Sequence, residues 1–89
     1  MVEVRGEVDI VNAQRLRQVL ADASSRRPAV ILVDLLRVTF IDSTGTGALV
    51  AGCNSARGLG VRFAVWPASP FVVAQLRQTG LYGTLAADR

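Results

Sequence analysis

One acid and three hydroxyls crowd a single point of this chain: Asp42, Ser43, Thr44 and Thr46, interleaved with Gly45 and Gly47. The stretch ahead of them is apolar and strand-like, and the stretch behind them is apolar and helical. A carboxylate or hydroxyl at a helix start accepts hydrogen bonds from first-turn amides. Glycine inside a helix is about 1 kcal/mol worse than alanine, so two within one turn require a reason. Three reasons compete. The glycines can permit a tight turn and close packing of helix on sheet. They can bare backbone amides that, with the helix dipole, attract an anion. Or Ser43 can be a modification site, where a phosphate adds about −1.5 to −2 charges. The dipole would tolerate that charge, whereas Asp42, and Asp9 if folded nearby, would repel it.

Other chemistries fit poorly. "STGTG" lacks the Gly-Lys-Ser/Thr of a nucleotide-binding loop. A nucleophilic Ser43 needs a base, the chain has no histidine, and "DSTGTG" is not a Gly-x-Ser-x-Gly elbow. An enzyme is therefore not expected. With no histidine and only Cys53, no metal site, disulfide or cofactor is expected. The net charge is +3, but all ten basic residues are arginines scattered along the chain, with one adjacent pair, Arg26–Arg27. No basic stripe interleaves with aromatics, so direct nucleic-acid binding is not expected. No apolar run approaches the ~20 residues of a membrane helix. A single soluble, cytoplasmic domain over 1–89 is the expectation.

The elements that must hold the cluster follow from periodicity. Residues 2–5 alternate as a short strand, with Gly6 as a break. Asn12 is a candidate N-cap for a helix whose apolar face carries Ala13, Leu16, Val19, Leu20 and Ala23. "SSRRP" ends it. Residues 29–35 read as a strand buried on both faces. A helix of small residues follows the cluster, with Gly58 and Gly60 as stop signals. Residues 61–66 form a strand ended by Pro67. Ser69 and Pro70 open a helix faced by Val72, Val73 and Leu76, and Gly80–Leu81 closes it. A last short strand is expected at 84–86. The alternation indicates an α/β fold with a largely parallel sheet.

Three segments, "VEVRGEVDIVNAQRLRQVL", "VILVDLLRVTFIDSTGTGALV" and "ASPFVVAQLRQTGL", together resemble a STAS domain, and most closely the bacterial anti-sigma-factor antagonists. Gly6 to Asp9 is similar to that family's Gly-Glu-Leu-Asp turn. Phe40 to Gly47 is similar to its Asp-Ser-Ser/Thr-Gly-Leu-Gly signature. The resemblance implies a mixed sheet of about four strands with helices packed on it. It implies partner switching, a control of transcription in stress response or sporulation. The unphosphorylated antagonist binds an anti-sigma factor that is also a serine kinase, and a sigma factor is freed. Phosphorylation of Ser43 releases the antagonist, and a PP2C-type phosphatase resets it. The implied partner-binding surface comprises Asp9, Asp42, Ser43, Thr44, Gly45, Thr46 and Gly47. An alternative within the family is a constitutive interaction part of a transporter, lipid-trafficking or sensory assembly.

Three departures from the family pattern stand out. Only Met1 precedes "VEVR", so the first family strand is expected to be short or missing, with an exposed edge that invites a homodimer. Thr46 replaces an apolar residue expected to face the partner. Leu36–Arg37 stands where the family often turns on Ser or Gly.

Overall fold

The computed structural model describes residues 1–86. Three strands and four helices follow one another: β1 (Val2–Val8), α1 (Ala13–Ser25), β2 (Val30–Ile41), α2 (Ser43–Gly58), β3 (Arg62–Ala68), α3 (Pro70–Gln78) and α4 (Tyr82–Ala86). The sheet order is β1-β2-β3, and both pairings are parallel. This is the α/β fold expected, with three strands among the described residues. Residues 84–86 are helical rather than a strand. Leu81 and Leu85 stand four apart, the Leu85 amide donates to the Leu81 carbonyl at 3.0 Å, and Leu85 is buried. That spacing seats both leucines against the core only in a helix.

β2 runs through Leu36–Arg37 without a turn. β2 carries one extra residue at each of two places, which shifts its register against β1 between Glu3 and Arg5 and between Gly6 and Glu7. Gly6 is not a break either. It lies inside β1 at φ 79°, a left-handed conformation that glycine adopts without strain. The continuation matters for function. Pairing persists to Val8↔Ile41, so Asp9 and Asp42 leave adjacent strands at the same end of the sheet. Pro67 falls within β3, where the Trp66–Pro67 peptide is cis. A missing amide is tolerated there because β3 is an outer strand.

β2 is not buried on both faces. Ile31, Val33 and Leu35 are buried, while Val30, Leu32 and Asp34 between them are half-buried. One side of the sheet meets the main core, which gathers Leu16 and Leu20 of α1, Leu49 and Cys53 of α2, Phe63 of β3 and Leu76 of α3. Two helices end as the sequence indicates. The Gly80 amide donates to Arg77 and the Leu81 amide to Leu76, with Gly80 at φ 76°. α2 ends likewise at Gly60 (φ 75°), with the Val61 amide donating to Ala56 at 2.8 Å. Both are Schellman motifs.

Candidate functional site

The site is built where β1 and β2 end together. The Asp42 amide donates to the Val8 carbonyl at 3.1 Å, which locks the end of β2 to β1. α2 then begins at once, at Ser43, so both glycines lie inside the helix. Asp42 is its N-cap: one oxygen, Oδ1, accepts the Gly45 amide at 2.9 Å and the Thr44 hydroxyl at 2.6 Å. These bonds, the Thr44 hydroxyl foremost and then the Gly45 amide, hold the Asp42 carboxyl below its ordinary value of 3.8, against a small opposing effect of burial. A lowered pKa favours the ionised form in the folded chain. The stabilisation is therefore complete above the ordinary value and is lost as pH falls through the folded one. Thr44→Ala is expected to move the Asp42 titration back up toward 3.8, and carboxyl chemical shifts followed against pH measure this. An unmoved titration would show that the Thr44 bond is not its main cause.

The three hydroxyls now separate. Thr44 is engaged by Asp42. Thr46 is only 5% exposed, and its hydroxyl donates to the Ser43 carbonyl at 3.0 Å. Ser43 is exposed, and its hydroxyl makes no hydrogen bond among the described residues. The glycines separate as well. A Cβ on Gly45 would lie 2.7 Å from Ile41 Cγ1 and 2.8 Å from the Val8 carbonyl oxygen, so Gly45 serves the fold. A Cβ on Gly47 would meet nothing within 4 Å. Hence the seven residues expected at the surface do not all reach it. Asp9, Asp42, Ser43, Thr44 and Gly47 are at least partly accessible, whereas Gly45 and Thr46 are buried. Thr46 faces inward because the helix starts at Ser43, which sets the phase that turns position 46 toward the sheet.

The other wall of the site comes from the loop between β1 and α1. Asn12 makes no capping bond to α1. Its side chain instead accepts the Asp9 amide at 2.9 Å and donates to the Glu7 carbonyl at 2.7 Å. Asp9 Oδ1 accepts the Val11 amide at 3.0 Å, and the Asp9 carbonyl accepts the Ala13 amide at 2.8 Å. These bonds fix the loop with Ile10 75% and Val11 86% exposed. Ile10, Ala13, Gln14 and Arg17 face Ser43, Thr44 and Gly47 across a groove of about 440 Å³. Ile10 and Val11 were not singled out in the sequence. The available signal was their placement: two adjacent β-branched residues between Asp9 and Asn12, outside the apolar face of the helix that follows.

The aromatics lie elsewhere. Phe63 is in the core, Phe40 stacks obliquely on Phe71 with centroids 5.6 Å apart, and Arg77 lies 4.9 Å over the Tyr82 ring. Among the described residues, no three His, Cys, Asp or Glu side chains converge to hold a metal, and no helix is long and apolar enough to cross a membrane.

Solved structures share this architecture. An anti-sigma factor antagonist from Mycobacterium paratuberculosis is 30% identical, superposes with a TM-score of 0.82, and is matched over 93% of this chain and 70% of that one. A sulfate transporter family protein from Wolinella succinogenes is 29% identical at a TM-score of 0.82, over 98% of this chain and 70% of that one. The anti-sigma factor antagonist SpoIIAA in its unphosphorylated form is 22% identical at a TM-score of 0.79, covering 94% and 73%, and shares the fold. The family profile described as the STAS domain matches residues 1–86. With its β1–β2 ends, its Asp42-capped helix and that match together, the chain belongs to the STAS domain family.

Proposed function

We propose that the chain is an anti-sigma-factor antagonist: a cytoplasmic binding module, not an enzyme, whose partner is an anti-sigma factor with serine kinase activity. The reading rests on one observation above the others. Ser43 is the exposed hydroxyl, unengaged among the described residues, at the rim of a groove lined by bare Ile10, with exposed Val11 next to it in the chain. In the unmodified state, Ile10 and Val11 supply the apolar contact that a partner desolvates, and the Ser43 hydroxyl is small enough to be enclosed. The kinase transfers the γ-phosphoryl group of ATP to the Ser43 oxygen: the new P–O bond replaces the one to ADP, which leaves, and the serine proton passes to solvent. The product carries about −1.5 to −2 charges beside Asp42, which its hydrogen bonds keep ionised. Burying that charge against apolar side chains is strongly unfavourable, so the complex separates. The fold is unaffected, because Ser43 supports no side-chain bond and its position at the start of α2 suits negative charge. A PP2C-type phosphatase would hydrolyse the ester and restore binding.

The test is calorimetry against an anti-sigma kinase from the same cell. Ser43→Ala is expected to bind within about twofold of the wild type, and Ser43→Glu at least about tenfold more weakly, a loss near 1.4 kcal/mol. Equal affinity for all three would sink the switch. Phosphopeptide mapping after incubation with kinase and ATP should place the phosphate on Ser43. The similarity to a sulfate transporter family protein favours a second reading, a constitutive interaction part of a larger assembly. In that case Ser43→Glu would leave partner binding intact.

A further inference from the structure

Gln14 and Arg17 of α1 face Ser43 and Thr44 of α2 across the groove between the two helices. We infer, resting on the reading of Ser43 as the phosphorylated residue, that Arg17, assisted by Gln14, binds the Ser43 phosphate within the same chain, so that modification closes the groove.

The two helices bring matching faces to this groove. Arg17 follows Ala13 by four positions and Gln14 by three, and Gly47 follows Ser43 and Thr44 in the same way. Residues so spaced share one face of a helix. β1 and β2 are parallel, so α1 and α2 start from the same end of the sheet, and Leu20 meets Gly52 farther along both. Arg17 lies one turn after Ala13. A helical side chain leans toward the N-terminus, over the turn before its own. Arg17 therefore leans toward the end at which Ser43 stands. Gly47 has no side chain to obstruct that path, and packing does not keep the position small, because a Cβ there would meet nothing within 4 Å.

Arg17 has no other engagement. Arg17 and Gln14 are exposed, and neither side chain makes a hydrogen bond or ion pair among the described residues. The positions three and four away from Arg17 on its helix, Ala13, Gln14, Leu20 and Ala21, carry no carboxylate. Arg17 is the one charged residue among those lining the groove. Asp42, beside Ser43, and Asp9, just past the neighbouring strand end, would both repel a phosphate there. A guanidinium offers a planar fork of N–H donors to two phosphate oxygens, and such charge-assisted bonds are short and strong. The Gln14 amide adds a neutral donor. A serine hydroxyl carries no charge for Arg17 to pair with, so the contact forms only after modification. Once formed, it spans the groove and occupies both polar groups of the α1 wall. A partner is then excluded from that wall as well as from Ser43.

Phosphoserine installed at position 43 during translation, without any kinase, tests the pairing apart from the switch. Phosphorus NMR of the full chain against pH follows the second ionisation of the phosphate, ordinarily at about 6. A nearby cation favours the dianion, so Arg17→Gln should raise that pKa by about half a unit, roughly a threefold change in proton affinity. Arg17→Lys should fall between the two, keeping the charge but losing the fork. Arg15→Gln removes the same charge from the same helix on the side that faces β1, and should change the pKa by no more than about 0.2 unit. The Arg17 Nε–H resonance should also move on modification while that of Arg15 stays in place. Equal titration with and without Arg17, or an equal rise in Arg15→Gln, overturns the inference. A kinase that never modifies Ser43 would overturn the switch, and no kinase enters these titrations. Both arginines are exposed, and circular dichroism confirms that each variant is folded before it is counted.

Discussion

Gly45→Ala is expected to destabilise the fold by about 1–3 kcal/mol, the range for forcing a methyl into a filled site. The added Cβ would stand 2.8 Å from the Val8 carbonyl oxygen, 2.7 Å from Ile41 Cγ1 and 2.9 Å from Val8 Cγ1. None of these has room to give. The carbonyl accepts the Asp42 amide that ties β2 to β1, and Ile41 and Val8 are paired across the sheet and buried. The start of α2 must lift instead, which pulls the Gly45 amide from Asp42. The loss of stability should therefore come with a loosened Asp42 cap and weaker partner binding. Gly47→Ala is the control. With open space around its Cβ it should be neutral, or stabilising by up to about 1 kcal/mol through helix propensity. Chemical denaturation compares the two. Equal effects would mean that the close approach at Gly45 is not what selects glycine there.

The second large effect lies at the crossing of α1 and α2. A Cβ on Gly52 would fall 2.5 Å from Leu20 Cδ1 and 2.9 Å from Leu20 Cβ. Leu20 is fully buried, so its tip has no free volume to swing into. Gly52→Ala should cost about 1–3 kcal/mol by overpacking. Leu20→Ala should cost about 2–5 kcal/mol by leaving a cavity. The pair should not add. In the Leu20→Ala background, the methyl that Gly52→Ala adds enters the vacated space and gains helix propensity, so the double variant should be more stable than the sum by about 1–2 kcal/mol. Urea unfolding of all four members closes the cycle. Strict additivity would mean that the two helices separate rather than share that contact.

What the sequence made legible is what short-range chemistry decides. Ser69 and Pro70 open α3 as their types suggest, with Ser69 Oγ accepting the Val72 amide at 3.3 Å. Gly80 and Leu81 close it for the same local reason. The alternation of strands and helices was equally readable, since each period is written in a few adjacent residues. The site was legible as a place but not as a surface. "STGTG" announces an unusual helix start without saying that Gly45 faces Val8, 37 positions back, while Gly47 faces outward. Thr46 stood as a partner contact until the start of the helix at Ser43 fixed its phase. Ile10 and Val11 escaped notice because their one local mark, standing outside the apolar face of α1, does not by itself show that an apolar pair is exposed. Their exposure comes from Asn12 turning back to Asp9 and Glu7 instead of capping α1. The helical 82–86 segment was missed because Leu85 finds its place only once α3 has ended beside β3.

The parallel sheet also governs how the chain reaches this state. Val2 pairs with Val33 and Val30 with Arg62, so each ladder closes a span of about thirty residues before its first bond forms. Among the described residues both strand pairings are parallel, so none of them is a hairpin that could serve as a quick local nucleus. Early order is then expected from helices, with α1 docking on α2 at Leu20 and Gly52 bringing β1 and β2 into range. Folding speed should then follow the fit of that crossing, and the Asp42 cap, which needs both strand ends in place, should consolidate late. The surface proposed to bind is thus expected to become rigid late.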